Sequence, residues 1–159
     1  MLTKHKLPLA VLLAGTVLAL SGTAFAGSCP AGQKVADGQG QKPGAMAPKD
    51  VTDVVLGSID LATQPVGVQD RQFRLRRLAI KPGGVVPWHS HDDRPALIYV
   101  AVGQVTEYAS NCAVPIVHNP GGVAEETKGT SHWWQNTGKT TAVLISADLL
   151  HQTDDAHVM

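Results

Sequence analysis

From Val51 to Leu150 the chain never runs far without a glycine or a proline, and the runs between them are short, apolar and rich in strand formers. Gln72 to Lys81 (QFRLRRLAIK) alternates up to Pro82-Gly83-Gly84, Val85 to His91 is a further extended run, and Ala96 to Val102 (ALIYVAV) is stopped by Gly103. Gln104 to Ala109 resumes beyond it, which predicts a hairpin across Gly103. Asn119-Pro120-Gly121-Gly122 and Thr137-Gly138-Lys139 mark later turns, and Thr140 to Leu150 (TTAVLISADLL) reads as a last strand. Short strands at intervals of about ten residues, without a capped amphipathic helix among them, specify an all-β sandwich or barrel. At 159 residues there is room for one such domain.

The N-terminus stands apart. Met1 to Lys6 carries two lysines, Leu7 to Leu20 is almost unbroken apolar sequence, and Ala24-Phe25-Ala26 is a small-x-small cleavage site. Residues 1–26 are therefore expected to be a signal peptide cut after Ala26. A retained anchor would need about 20 apolar residues, and lipid attachment at Cys29 would want a leucine where Ala26 stands. Residues 27–50, rich in Gly, Pro, Ala and Gln, read as a flexible arm, residues 51–151 as the domain and residues 152–159 as a C-terminal tail. Losing Lys4 and Lys6 leaves 11 basic against 13 acidic side chains, a net charge of −2 that argues against a nucleic-acid partner. After cleavage no second apolar span remains to hold a membrane, so a periplasmic or secreted protein is expected. Such a compartment lets Cys29 and Cys112 pair, with two separate thiols as the alternative.

Three histidines carry the candidate chemistry. His89 and His91 are separated by one residue, so on a strand both imidazoles point to one face. His132, in Gly129-Thr130-Ser131-His132, opens a later strand that a barrel would bring opposite the pair. An H-x-H pair alone also describes two exposed edge residues. The surrounding spacing is more specific. Gly83, His89, His91 and Gly103, then Gly121, Gly129, His132 and Asn136, resemble in order the two half-motifs of the cupin superfamily, joined by the short stretch Gln104 to Pro120.

The resemblance implies a double-stranded β-helix, or jelly-roll barrel, of the small single-domain, quercetin dioxygenase-like kind, with one divalent metal (Fe, Mn, Zn, Ni or Cu) held by His89, His91 and His132. Two positions depart from the pattern. The glutamate usual five residues after the second histidine is Ala96, and Thr127 stands where proline is usual. Without that glutamate, three neutral imidazoles leave the charge of a divalent cation uncompensated, which favours an anionic ligand such as a carboxylate, enolate or thiolate.

By alternation, Trp134 and Asn136 share the inward face of His132, and Ile98 and Val100 share that of Ala96, which makes an apolar pocket. Trp133 and Tyr99 then face away, Tyr99 toward another sheet or an interface, so a homodimer is among the expected partners beside a small-molecule ligand. Asp92, Asp93 and Arg94 follow the metal pair in a rim loop, where Arg94 would clamp a substrate carboxylate or lie in solvent. Glu107 is the nearest candidate base, its facing left open across Gly103. His118 would stand behind the ligands or at the surface, and His151 and His157 at the surface. The expected function is that of an exported metal-binding cupin that acts on or binds a small anionic organic molecule; if it is an enzyme, the routes are those of a metal-dependent dioxygenase or of a lyase or isomerase working through an enolate. The alternatives are a non-catalytic metal or small-molecule binding protein and a barrel with no ligand.

Overall fold

The computed structural model describes residues 27–153. The expected signal peptide over residues 1–26 and the end of the expected tail, with His157, lie outside the described residues. Eight strands follow one another, β1 (Lys49–Asp60), β2 (Gln72–Ser90), β3 (Ala96–Val102), β4 (Val105–Ala109), β5 (Ile116–His118), β6 (Val123–Glu126), β7 (Ser131–Gln135) and β8 (Ala142–Leu150), with a 3-10 turn at Leu61–Thr63. There is no α-helix among the described residues. The strands curl in the order β5-β4-β7-β2-β8-β3-β6, with β1 added on β2, into the nearly closed all-β barrel expected from the sequence.

Strand β2 belongs to both layers of the barrel. Gln72 to Ile80 pairs with β1 and β8, whereas Val85 to Ser90 pairs with β7. The expected turn at Pro82-Gly83-Gly84 is a bend within this strand. Gly83 supplies a φ of 75°, and a Cβ on Gly84 would sit 2.8 Å from the Asp50 carbonyl oxygen, a conformation and a closeness that suit glycine. The hairpin expected across Gly103 does not form. β3 pairs with β6 and β8 in one layer, and β4 pairs with β5 and β7 in the other. At Gly103 the φ is 74° and a Cβ would lie 2.8 Å from the Ala142 Cα, so the chain crosses close over the start of β8 and changes layer there.

The core between the layers is built from Leu78, Ile80, Val86, Ile98, Val100, Val105, Trp134 and Leu144. In β3 the inward positions are Ala96, Ile98 and Val100 and the outward ones Leu97 and Tyr99. The first part of β2 inverts the usual arrangement, with Phe73 and Leu75 outside and Arg74 and Arg76 inside. Those arginines are buried because β8 supplies Asp148, which accepts from Arg74 Nε and Nη2 at 2.9 and 2.6 Å and lies 3.4 Å from Arg76 Nη2. Arg76 also donates to Asp53 of β1 at 2.6 Å. Arg94 joins them at 3.5 Å from Asp148, so it is a buried ion partner and not the solvated rim residue or exposed clamp that its loop suggested. Asp92 accepts from the Gly129 N–H at 2.8 Å, and Asp93 pairs with Arg71 at 2.8 Å.

Residues 27–48 run along the outside of the second layer. Val35 donates to the Asn111 carbonyl, Gly40 to Ser110, Gln41 to Ala109, and Ala45 accepts from the Trp88 N–H. Cys29 and Cys112 form a disulfide with their Cα atoms 5.7 Å apart, which ties the start of this segment to the barrel.

Candidate metal centre

The register of β2 and β7 sets His89 directly opposite His132. His91 follows at the end of β2, its N–H bonded to the Thr130 carbonyl just before β7. The three rings converge. The Nε2 atoms of His89 and His91 are 3.1 Å apart, those of His91 and His132 3.0 Å, and those of His132 and His89 3.1 Å.

Each ring is held from behind by its other nitrogen. His89 Nδ1 donates to the Pro87 carbonyl at 2.8 Å, His91 Nδ1 to the Arg94 carbonyl at 2.7 Å, and His132 Nδ1 to Glu107 Oε1 at 2.8 Å. With the proton placed on Nδ1, all three Nε2 atoms turn toward one point. This is how ligating histidines are oriented in metal sites.

The titration behaviour divides the three. Burial, reinforced by the neighbouring imidazoles, pushes His89 down to about 2 and His91 down to about 3, so both are neutral at any physiological pH. Burial acts in the same direction on His132, but Glu126 and Glu107 beside it outweigh that and raise it to about 9. Without metal His132 is thus an imidazolium facing two carboxylates. Its ion pairing stabilises the metal-free fold fully below about 6.5, and that contribution is lost as the pH rises through about 9. A cation taking Nε2 must displace one proton. Apparent metal affinity is therefore expected to rise about tenfold per pH unit between pH 6 and 8, with about one proton released per metal. Calorimetry in buffers of different ionisation enthalpy reads this directly, and an affinity flat in pH would contradict it.

Glu107, whose facing was open in the sequence, is buried behind the centre. It accepts from His118 Nε2 at 2.8 Å as well as from His132. Burial raises its carboxyl, but the two histidine hydrogen bonds prevail and hold it down at about 2. His118 is fully buried and stacks on Trp134 with ring centroids 4.5 Å apart. Ala96 is buried, and its register partner on β6 is Glu126. Glu126, absent from the sequence reading, lies 3.4 Å from His132 Nδ1, and burial together with the charge of Glu107 raises its carboxyl. Carboxylate charge therefore does reach the three imidazoles, through His132 and not at position 96. The expectation of an uncompensated centre is corrected to that extent.

A cavity of about 20 Å³ opens beside His89 and His91, enough for roughly one water molecule. Trp134 and Ile98 line it, together with Leu78, Val86 and Leu144, and Arg76 and Ser146 add polar groups that the sequence did not single out. Val100 and Asn136 are buried but lie outside this lining. The Asn136 amide instead donates to the Ile80 and Thr140 carbonyls at 2.7 and 2.8 Å, which ties strand ends together. Trp133 faces away and stacks on Tyr108 at 4.1 Å. His151 is remote from the centre, in a group with Asp70, Asp93 and Arg71.

A family model described as a cupin domain matches residues 76–148. Germin-like protein subfamily 3 member 1 of Arabidopsis thaliana is 25% identical over 107 residues, covering 64% of this chain and 51% of that protein. The chain thus spans about half the length of the curated relative it matches. Among solved structures, a predicted oxalate decarboxylase from Thermotoga maritima aligns with a TM-score of 0.53 at 19% identity, over 73% of this chain and 98% of that one. An oxalate oxidase in complex with the substrate analogue glycolate aligns at 0.50 with 21% identity, over 72% and 58%. A double-stranded β-helix protein from Klebsiella pneumoniae aligns at 0.52 with 16% identity, over 72% and 86%. At these identities the structural likeness speaks for the fold.

Proposed function

We propose, on the premise that residues 76–148 of this chain are a cupin domain, that the protein is an exported cupin that binds one divalent metal through His89, His91 and His132 and acts on a small anion there. The observation that carries the reading is the convergence of three Nε2 atoms within 3.0–3.1 Å, each ring anchored through Nδ1. With metal–nitrogen bonds of about 2.1 Å, donors at that spacing subtend about 90°. They then occupy one face of an octahedron, which suits a six-coordinate ion such as iron or manganese better than tetrahedral zinc. Bound there, such an ion supplies Lewis acidity toward an anionic oxygen and, if redox-active, dioxygen chemistry.

The chain's own groups have definable parts. Glu107 orients His132 and strengthens it as a donor. Arg76 and Ser146 line the same cavity and offer polar hydrogens to an anionic oxygen that enters it. The apolar wall of Trp134, Ile98 and Leu144 limits water. Oxalate, named for two of the fold neighbours, is the first such anion to test. Export is supported by the N-terminal apolar run and by the disulfide. The division into a signal peptide (1–26), an arm (27–50), a cupin domain (51–151) and a tail (152–159) belongs to the same proposal.

Metal analysis of the purified protein is expected to find about one ion per chain. His89→Ala and His132→Ala should each lower it at least tenfold, and His151→Ala should leave it unchanged. Equal metal in all three variants would refute the assignment. Oxygen uptake with oxalate, catechols, diketones and thiols then tests turnover. Stoichiometric metal with no turnover of any of them would favour a non-catalytic metal or small-molecule binding protein.

A further inference from the structure

We infer that the seam of the barrel is an ammonium-binding pocket, and that its occupant is the chain's own α-amine at Gly27, set free by the cut after Ala26. That occupant depends on the proposed export cut; the pocket does not. In the strand order the two edges are β5 and β6, which do not pair with each other. A cavity of about 190 Å³ lies between them, with Ile116 of β5 on one side and Glu125 and Glu126 of β6 on the other. Glu107 reaches it from β4, so three carboxylates line it against one lysine, Lys34.

Glu107 and Glu126 are each 3% exposed, yet they compete for one hydrogen. His132 Nδ1 donates to Glu107 Oε1 at 2.8 Å and stands 3.4 Å from Glu126 Oε2. Glu107 has a second donor in His118, whereas Glu126 is left with that one longer contact among the described residues. A buried carboxylate so placed is costly until a cation or a donor reaches it.

The segment that crosses the seam can bring both. Cys29 is bonded to Cys112, in the turn between β4 and β5, and two residues earlier Gly27 packs on edge strand β6. Gly27 is buried with a φ of 141°, and a Cβ on it would sit 2.2 Å from the Val123 carbonyl oxygen, a position made for glycine. Gly27, Ser28 and Cys29 all line the cavity. While the bond to Ala26 is intact, the Gly27 nitrogen is a neutral amide with one hydrogen. Hydrolysis adds water across that bond, leaving a carboxylate on Ala26 and an ammonium with three hydrogens on Gly27. The disulfide two residues away then holds this ammonium at the carboxylates of β6, where each N–H gains from an ionised acceptor.

The exported protein, with its disulfide intact, tests this by labelling. Intact mass first fixes where the chain begins, and a start other than Gly27 refutes the cut and the occupant with it. An exposed α-amine titrates at about 8, well below lysine, so acetic anhydride at pH 7 labels it first. Paired with a carboxylate it stays protonated, and its labelling in the folded protein is expected to be at least about tenfold slower than in urea. Glu126→Gln should undo most of that protection, and Glu125→Gln, at the exposed rim, part of it. A start at Gly27 with an amine as reactive as in urea leaves the cut standing and refutes the pairing alone. Protection unchanged in Glu126→Gln means that burial by itself shields the amine, which also overturns the pairing. A second measurement needs no change in the pocket: protein released with Ala26 retained carries its ammonium one residue, about 3.5 Å, further along the chain. It is expected to melt about 4 °C lower than the form that starts at Gly27. Equal melting of the two forms overturns the inference.

Discussion

Asp148→Ala is expected to lower the stability of the barrel by about 4 kcal/mol, measured as the shift in a urea unfolding curve. Asp148 is 1% exposed, accepts two hydrogen bonds from the fully buried Arg74, and has Arg76 and Arg94 within 3.4 and 3.5 Å. Alanine takes away the carboxylate these three buried guanidiniums share, and removing one member of a buried ion group costs more than the group contributes when complete. Asp148→Asn keeps the shape and some acceptor capacity, so it should cost less than alanine. A loss under about 1 kcal/mol for the alanine variant would mean that water or other partners solvate the arginines, and that Asp148 does not hold them. Because Arg76 lines the cavity, the same variant should also loosen any anion bound there.

Glu107→Gln is expected to weaken metal binding by about 10- to 100-fold, read by competition with a chelator of known affinity. The glutamate accepts from His118 and His132 at once. A glutamine keeps the volume but turns one acceptor oxygen into a donor, so one of the two rings loses its partner. His132 also loses a negative charge that makes its Nε2 a stronger donor. The expected companion change is a fall of the His132 pKa from about 9, with less proton release on metal binding. Affinity equal to that of the wild type would show that His132 is oriented by its packing against Trp134 and its neighbours alone.

Several features of the barrel are legible in the chain because they are local. Glycine and proline spacing marks the strand ends, and alternation tells which side chains share a face. His89 with His91, Ile98 with Val100, and Trp134 against Trp133 all follow from that period of two. The half-motifs add which strands belong together, and so the fold.

Alternation cannot say which of two faces is inward. In β2 the buried face carries Arg74 and Arg76, and local hydrophobicity points the other way. The decision depends on Asp148 and Asp53, which lie about seventy residues later and twenty earlier in the chain. For the same reason the hairpin across Gly103 looked sound: only the approach of Gly103 to Ala142 shows that β3 and β4 part into different layers. Glu107 and Glu126 meet His132 because β4 and β6 come from two sides of the barrel. Local spacing thus carried most of the strands, the side chains that share a face within each, and the His89-x-His91 pair. The buried ion group and the carboxylates behind His132 come only with the folded barrel, because each depends on which distant strand becomes a neighbour, and no local period carries that information.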